Sequence, residues 1–170
     1  MPAVLERTTD KKIIKKSLSQ QNKKIVPHKR TKKKLFKFID LFAGLGGTRI
    51  GFEQACEELG INSKCVFTSE IKEYAVDIYK KNFSNEDVSG DITKVNEKNI
   101  PDFDFLLGGF PCQAFSAAGK REGFGDSRGI LFFDVARIIK EKKPKGFLLE
   151  NVEGLVTHDK GQTLKIILKT

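Results

Sequence analysis

One cysteine of this sequence stands where its sulfur could act as a nucleophile. Cys112 follows a short apolar run and lies in residues 108–116, GGFPCQAFS. A thiolate is a strong nucleophile, and a glycine-rich segment places the sulfur for access rather than for packing. A single cysteine is usually a small core residue, so these two interpretations carry about equal weight. Cys56 and Cys65 lie within helix and strand patterns, and we expect both in the core.

Carboxylates follow further apolar or strand-like segments. Glu150 ends the run 146–149, where partial desolvation would raise the pKa of its carboxyl and let it share or donate a proton. The alternative is a strand-end carboxylate in solvent, which the apolar neighbours disfavour. Glu70 follows residues 65–69, and Asp91 follows a loop. Glu70 could bind ribose hydroxyls, and either acid could instead be a helix N-cap or a surface carboxylate.

A glycine-rich turn joins the first predicted strand to the first predicted helix. Its residues 40–47 read DLFAGLGG. Glycines at such a turn let backbone N–H groups approach a ligand, and the following helix presents its positive end. The third glycine of the dinucleotide motif G-x-G-x-x-G is missing, and a plain tight turn is the alternative. With Glu70 and Asp91 behind it in order, the turn predicts a nucleoside cofactor that lacks a pyrophosphate.

These candidate residues all follow predicted strands. Strands are predicted over residues 35–42, 65–69, 103–107 and 146–151, and helices over about 47–59, 72–82, 130–141 and from near 162. The first helix has Ile50, Phe52, Ala55 and Leu59 for an inner face, and the last strand reads as buried. Alternating strands and helices predict an α/β fold with a doubly wound, mostly parallel sheet. Ligands of such sheets bind at the carboxyl ends of the strands.

Length and composition exclude several classes of protein. A chain of 170 residues with 39% hydrophobic residues builds one domain, and no apolar run is long enough for a membrane span or a signal peptide. Three cysteines are an odd number for a disulfide framework, which favours a reducing, cytoplasmic setting. No Cys-x-x-Cys pair exists and both histidines, His28 and His158, are isolated, so we expect no metal site.

The net charge of +9 belongs to one end of the chain. Residues 1–37 hold 13 Lys and Arg against two acids, a balance of +11, whereas the other 18 Lys and Arg face 20 acids, a balance of −2. Residues 1–34 have few large apolar side chains, so we expect a disordered basic tail. The tail either binds nucleic-acid phosphates or only keeps the protein soluble, and the charge favours neither.

Three ordered motifs together resemble the DNA (cytosine-5) methyltransferases. They are residues 38–47, 109–116 and 150–152, and the closest resemblance is to the bacterial modification enzymes that recognise GCGC. Residues 126–129 and the stretch through 142–145 also match that type, so the resemblance covers residues 36–169. It implies the S-adenosylmethionine-dependent methyltransferase fold, and methyl transfer to C5 of cytosine in double-stranded DNA within a restriction–modification system.

The resemblance also implies a role for individual residues. Cys112 matches the nucleophile that adds to C6 of the base, and Glu150 the acid that binds its N3/N4 edge. The cofactor-binding positions are Phe42, Gly44, Gly46, Gly47, Glu70, Ile71, Asp91, Ile92, Pro111 and Leu131. Substrate and lid positions are Gln113, Ser116, Arg128 and Asn151, of which the first three lie in a mobile lid over residues 112–130 and Asn151 follows Glu150. Ala118 is a departure from the resemblance, because the GCGC-type enzymes have at this position a serine that enters the duplex as the base flips out.

The family has parts for which residues 152–170 leave no room. Its members continue past the position of Glu150 with an Arg-x-Arg motif, a target-recognition domain and a late helix that completes the cofactor pocket. We therefore expect residues 35–170 to be a partial catalytic domain, inactive alone, that needs a complementary chain or is a truncated product. The alternatives are a fragment of a tRNA cytosine-5 methyltransferase and a non-catalytic remnant that binds cofactor or DNA.

Overall fold

The computed structural model describes residues 34–84, 86–111 and 127–170, and in the last range it describes side chains from residue 131 onward. Cys112, Gln113 and Ser116 lie outside the described residues, as do the tail up to residue 33 and the lid up to residue 126. Arg128 is described only as part of a helix backbone.

The described residues alternate strands with helices. The strands are β1 (Phe36–Leu41), β2 (Ser63–Ser69), β3 (Phe105–Gly108) and β4 (Gly146–Leu149). The helices are α1 (Gly47–Glu58), α2 (Glu73–Asn82), α3 (Ser127–Lys142), α4 (Gly154–Thr157) and α5 (Gln162–Lys169), with short 3-10 turns at Ile92–Lys94, Glu97–Asn99 and His158–Gly161. In this part of the chain no helix has the length and apolar character to cross a membrane.

The four strands form one parallel sheet in the order β2-β1-β3-β4. The chain moves from β1 to β2 on one side and then returns to β3 on the other side of β1, which is the reversal that creates a ligand crevice in such sheets. Ser89 adds an isolated parallel bridge to Ser69 beyond the β2 edge. This topology confirms the predicted doubly wound parallel sheet.

Side chains of β1 alternate between two apolar layers. Ile39 and Leu41 pack with Val135 and Ile138 of α3 on one face. Phe38 packs with Cys65 and Leu107 on the other face, where Phe52 of α1 joins them. Cys56 and Cys65 are both buried, as predicted.

The inner face of α1 differs from the prediction. Ile50 and Leu59 are 41% and 76% exposed and Ala55 is also exposed, whereas Arg49 and Cys56 are buried beside the half-buried Phe52. A hydrophobic pattern treats arginine as a solvent-facing residue, so it cannot anticipate a buried arginine that finds acidic and phenolic partners.

Strand β4 was predicted to be buried, and this prediction was wrong. Phe147 and Leu148 are 54% and 49% exposed. The cause is the position of β4 at the end of the sheet, where in the described residues it pairs only with β3. An edge of this kind leaves backbone N–H and C=O groups without ladder partners.

Candidate active site

A cavity of about 470 Å³ lies at the carboxyl ends of β1, β2 and β3. It is lined by Phe42, Gly44, Ser69, Glu70, Ile71, Lys72, Gly90, Asp91, Ile92, Gly109, Pro111 and Leu131. The parallel strands end at one edge of the sheet, so residues far apart in sequence meet there. This is the position at which an open α/β sheet binds ligands.

The loop between β1 and α1, residues 42–46, approaches the cavity in an uncommon conformation. Phe42, Gly44 and Gly46 all have positive φ, at 56°, 54° and 90°. Only glycine adopts such angles at little cost, so Phe42 must be held there by its surroundings. A side chain at Gly46 would overlap the ring of Phe83, which makes glycine a steric requirement at that position.

Glu70 is buried at the end of β2 and is held by three backbone N–H groups. Gly44 N donates to Oε2 at 2.8 Å, and Ile71 N and Lys72 N each donate to Oε1 at 2.9 Å. These bonds fix the carboxylate in one orientation and tie it to the β1–α1 loop. Its remaining lone pairs can accept hydrogen bonds from a diol such as that of ribose.

Asp91 reaches the same cavity through the segment that runs beside β2. Ser69 Oγ donates to Gly90 O at 2.8 Å, and Glu70 N donates to Ser89 O at 2.9 Å. The Thr93 hydroxyl and amide donate to Asp91 Oδ1 at 2.7 and 3.0 Å, and these bonds hold the pKa of Asp91 below its usual value. The carboxylate therefore stays ionised and is available as an acceptor.

The rest of the cavity wall is largely apolar. Phe42, Ile71, Ile92, Pro111 and Leu131 contribute its apolar side chains. Apolar side chains of this kind can enclose a flat heteroaromatic ring, and the two carboxylates can accept hydrogen bonds from hydroxyl or amino groups. Among the described residues, no group of His, Cys, Asp and Glu side chains is placed to hold a metal ion.

The ends of β3 and β4 bring a further carboxylate to the cavity. Asn151 Nδ2 donates to Phe110 O at 2.9 Å, and Glu150 N donates to Gly108 O at 3.0 Å. The Glu150 carboxylate lies against Gly109, since a Cβ there would be 3.4 Å from Oε2. Gly109 itself lines the cavity. Glu150 is therefore adjacent to both the cavity wall and the segment that leads to Cys112.

Glu150 differs from the prediction in one respect. It was expected to be partly desolvated, but it is exposed. It follows β4, the edge strand of the described sheet, so no element beyond β4 covers it in the described residues. Its exposed carboxylate can still accept a hydrogen bond from a polar ligand.

Eight of the ten predicted cofactor positions line the cavity, and the other two do not. Gly46 is buried against Phe83, and Gly47 begins α1. The cavity also has four residues that were not among the predicted cofactor positions, namely Ser69, Lys72, Gly90 and Gly109. The first three are chain neighbours of predicted residues, and Gly109 begins the motif over residues 109–116, so adjacency and motif membership were the signals that could have found them. The ligand roles of all these residues stay predictions.

Sequence comparison adds the family to this geometry. Residues 36–170 match the C-5 cytosine-specific DNA methylases. Type II methyltransferase M.NlaIV of Neisseria lactamica is 63% identical over 141 residues, which are 79% of this chain and 33% of the relative. Type II methyltransferase M.HhaI of Haemophilus parahaemolyticus is 53% identical over 134 residues, which are 79% of this chain and 39% of the relative. The chain thus spans little more than a third of the length of such relatives.

Solved structures support the fold. The Entamoeba histolytica methyltransferase EhMeth matches with a TM-score of 0.64 at 23% identity, over 80% of this chain and 43% of that chain. The Dnmt2 methyltransferase of S. pombe matches with a TM-score of 0.57 at 20% identity, over 80% of this chain and 40% of that chain. Because residues 36–170 match the family, this chain belongs to the C-5 cytosine-specific DNA methylases.

Proposed function

We propose that the chain is part of an enzyme that transfers a methyl group from S-adenosylmethionine to C5 of cytosine in double-stranded DNA. We place this enzyme in a bacterial restriction–modification system and in the cytoplasm, where its DNA substrate lies. The observation that carries the proposal is the position of Gly109, which lines the cavity and also lies beside the Glu150 carboxylate. A nucleoside cofactor and a cytosine could thus be bound within reach of one another.

The lining of the cavity fits S-adenosylmethionine. Glu70 would accept hydrogen bonds from the ribose hydroxyls, Asp91 would accept one from the adenine, and Ile71 and Ile92 offer apolar surface to the base. Leu131 and Pro111 add further apolar wall to the same cavity. When bound, S-adenosylmethionine supplies an electrophilic methyl group on a positively charged sulfur.

Two residues of the chain would activate the cytosine. The Cys112 thiolate would form a bond to C6, while Glu150 hydrogen-bonds the N3/N4 edge and supports protonation at N3. The electrons of the C5–C6 double bond then make C5 nucleophilic. C5 takes the methyl group as the sulfur–methyl bond breaks, which leaves S-adenosylhomocysteine. Loss of the C5 proton to a base, return of the N3 proton to Glu150 and departure of the thiolate from C6 then restore the aromatic ring. Neither carbon is accessible in the base stack, so the cytosine must first leave the duplex.

The proposed cofactor site is tested by replacing Glu70 with glutamine. Glutamine keeps the shape, but its amide nitrogen cannot accept a backbone N–H bond, so one of the three bonds that hold Glu70 is lost. We expect the Kd of S-adenosylhomocysteine, measured by calorimetry on the chain, to rise about tenfold or more, which corresponds to about 1.4 kcal/mol.

Glu73 provides a matched control for the Glu70 substitution. It lies three residues further on, is exposed and does not line the cavity. Glu73→Gln makes the same chemical change, and we expect it to leave the Kd unaltered. Equal affinity of the Glu70→Gln variant and the unaltered chain would contradict the assignment of Glu70.

We further propose that activity requires a complementary polypeptide. The support is the open edge of β4 together with an apolar cavity of about 1080 Å³ between α3, β4 and α5. Phe147, Leu148 and Leu168 line this cavity and are about half to three-quarters exposed. An apolar surface of this kind at a sheet edge is a site where further polypeptide packs.

The domain division is also a proposal, with a basic tail over residues 1–34 and a partial catalytic domain over 35–170. The match to the family begins at residue 36, so the charge of the preceding residues is a separate feature of this chain.

If the basic tail binds DNA phosphates, deleting residues 1–33 should weaken binding to all DNA sequences alike. It should also make the plot of log K against log salt less steep. Filter binding from low to high salt measures this slope. An unchanged slope would leave only the solubilising role.

A further inference from the structure

The β1–α1 loop has a rear side that faces away from the cavity. Phe42 and Gly44 line the cavity, whereas Leu45 and Gly46 contact the end of α2. Asn82 Nδ2 donates to Leu45 O at 2.9 Å, and Gly46 packs directly against the ring of Phe83. The residues at the end of α2 therefore decide where this side of the loop can lie.

The ring of Phe83 is itself held in place by an arginine. The Arg49 guanidinium carbon lies 3.9 Å from the centre of the Phe83 ring, close enough for a cation–π interaction. Tyr79 packs beside the same ring, with 4.4 Å between ring centres. Phe83 thus lies between Arg49 and Gly46, and a shift of the arginine would release the ring from the loop.

Arg49 is buried, and all three nitrogens of its guanidinium group donate hydrogen bonds. Its Nη1 and Nη2 donate to the two carboxylate oxygens of Glu86 at 2.6 and 3.1 Å. Nη1 also donates to the Tyr79 hydroxyl at 2.9 Å, and Nε donates to Glu53 Oε1 at 2.9 Å. Burial opposes the charge, but the bonds to Glu86 and Tyr79 outweigh it and raise the pKa of Arg49. This arrangement requires a planar and permanently charged group, which the guanidinium of arginine provides.

The position of Arg49 is unfavourable for α1 itself. It lies in the first turn of the helix, where the helix dipole disfavours a cation. It also stands where the dinucleotide motif would have its third glycine. Neither helix propensity nor the helix dipole explains a buried arginine at this position. The contact of Arg49 with the Phe83 ring, which packs against Gly46, does explain it.

We infer that Arg49 is a positioning residue for the cofactor, which acts through Phe83 and Gly46 to hold the β1–α1 loop against the cavity. The inference rests on the proposed function, because it concerns the same cofactor site. Phe42 has a positive φ that a non-glycine residue adopts only under constraint. If the rear support is removed, the loop can relax and draw Gly44 away from Glu70, to which its N–H donates at 2.8 Å.

The test measures affinity for S-adenosylhomocysteine in the full chain, at a temperature where circular dichroism shows every variant folded. Arg49→Lys keeps the charge but loses the planar face and the fork, and Phe83→Leu removes the ring that transmits the contact. We expect each change to raise the Kd about tenfold, the range found for residues that act on a site through others. Asn82→Ala removes an exposed side chain and one bond to the loop, and we expect a smaller rise of about threefold.

Phe52 is the matched control for Phe83. It is equally half-buried but packs on Phe38 and Phe105, with ring centres 4.9 and 5.1 Å apart, away from the loop. Phe52→Leu should lower the melting temperature as Phe83→Leu does and leave the Kd unchanged.

The outcomes separate the inference from the proposed function. An unchanged Kd in both Phe83→Leu and Asn82→Ala overturns the inference. A rise of the Kd in Phe52→Leu as large as that in Phe83→Leu also overturns it. Both outcomes can be read even if Arg49→Lys does not fold. No binding of S-adenosylhomocysteine by the unaltered chain, either alone or together with a complementary polypeptide, contradicts the proposed function, and the inference falls with it.

Discussion

Replacing Cys112 with serine is expected to abolish methyl transfer in any active enzyme assembled from this chain. Attack on C6 needs a thiolate, and a serine hydroxyl is almost entirely protonated at neutral pH and far less nucleophilic. The rate should fall by more than about a thousandfold, as is found when a covalent nucleophile is removed. Transfer of tritiated methyl groups to DNA measures the rate, and calorimetry with S-adenosylhomocysteine should show unaltered cofactor binding.

The other cysteines provide the control for this prediction. Burial raises the pKa of the Cys65 thiol, and this keeps it protonated and inert. Cys56 is also buried, on α1, and does not line the cavity. Cys56→Ala should therefore keep methyl transfer close to that of the unaltered enzyme. Methylation by the Cys112→Ser variant at the unaltered rate would refute the assignment of the nucleophile.

The second large effect is expected when the 170-residue chain is assayed alone and then with a complementary polypeptide. Alone, it should transfer no labelled methyl groups to DNA that contains GCGC, and it should self-associate through the β4 edge. The reason is the exposed apolar surface at Phe147, Leu148 and Leu168, and a length little more than a third of that of its relatives. Scintillation counting measures the methyl transfer, and sedimentation velocity measures the self-association.

Adding the part of M.NlaIV that follows its match to this chain should restore methyl transfer and prevent the self-association, with transfer measured on unmethylated genomic DNA so that the sites recognised through the added part are included. The relative is 63% identical over the matched residues, so its remaining part should recognise this surface. Binding would then stabilise the folded chain by mass action. Leu148→Asp should prevent the complementation, whereas Leu59→Asp, at a more exposed leucine directly after α1, should not. Transfer that depends on Cys112 but needs no second polypeptide would disprove the requirement.

The motifs alone determined the family, the order of the elements and the end of the sheet that carries the site. This was possible because the signals are local. A short apolar run that leads into DLFAGLGG predicts a buried strand, a tight turn and a helix start within a few residues. Parallel strands bring their carboxyl ends together, so Glu70 and Asp91 were expected in one place, and both line the same cavity.

Only the tertiary structure decided how the individual side chains are buried. Arg49 is buried and Ile50 is exposed, because Glu86 and Tyr79 meet the guanidinium, and both lie more than twenty residues away in sequence. Glu150 and Phe147 are exposed, because β4 is an edge in the described sheet, and the residues of a strand do not reveal how many neighbours it has. Burial depends on long-range contacts, whereas turn geometry and strand or helix pattern depend mainly on neighbours in the chain.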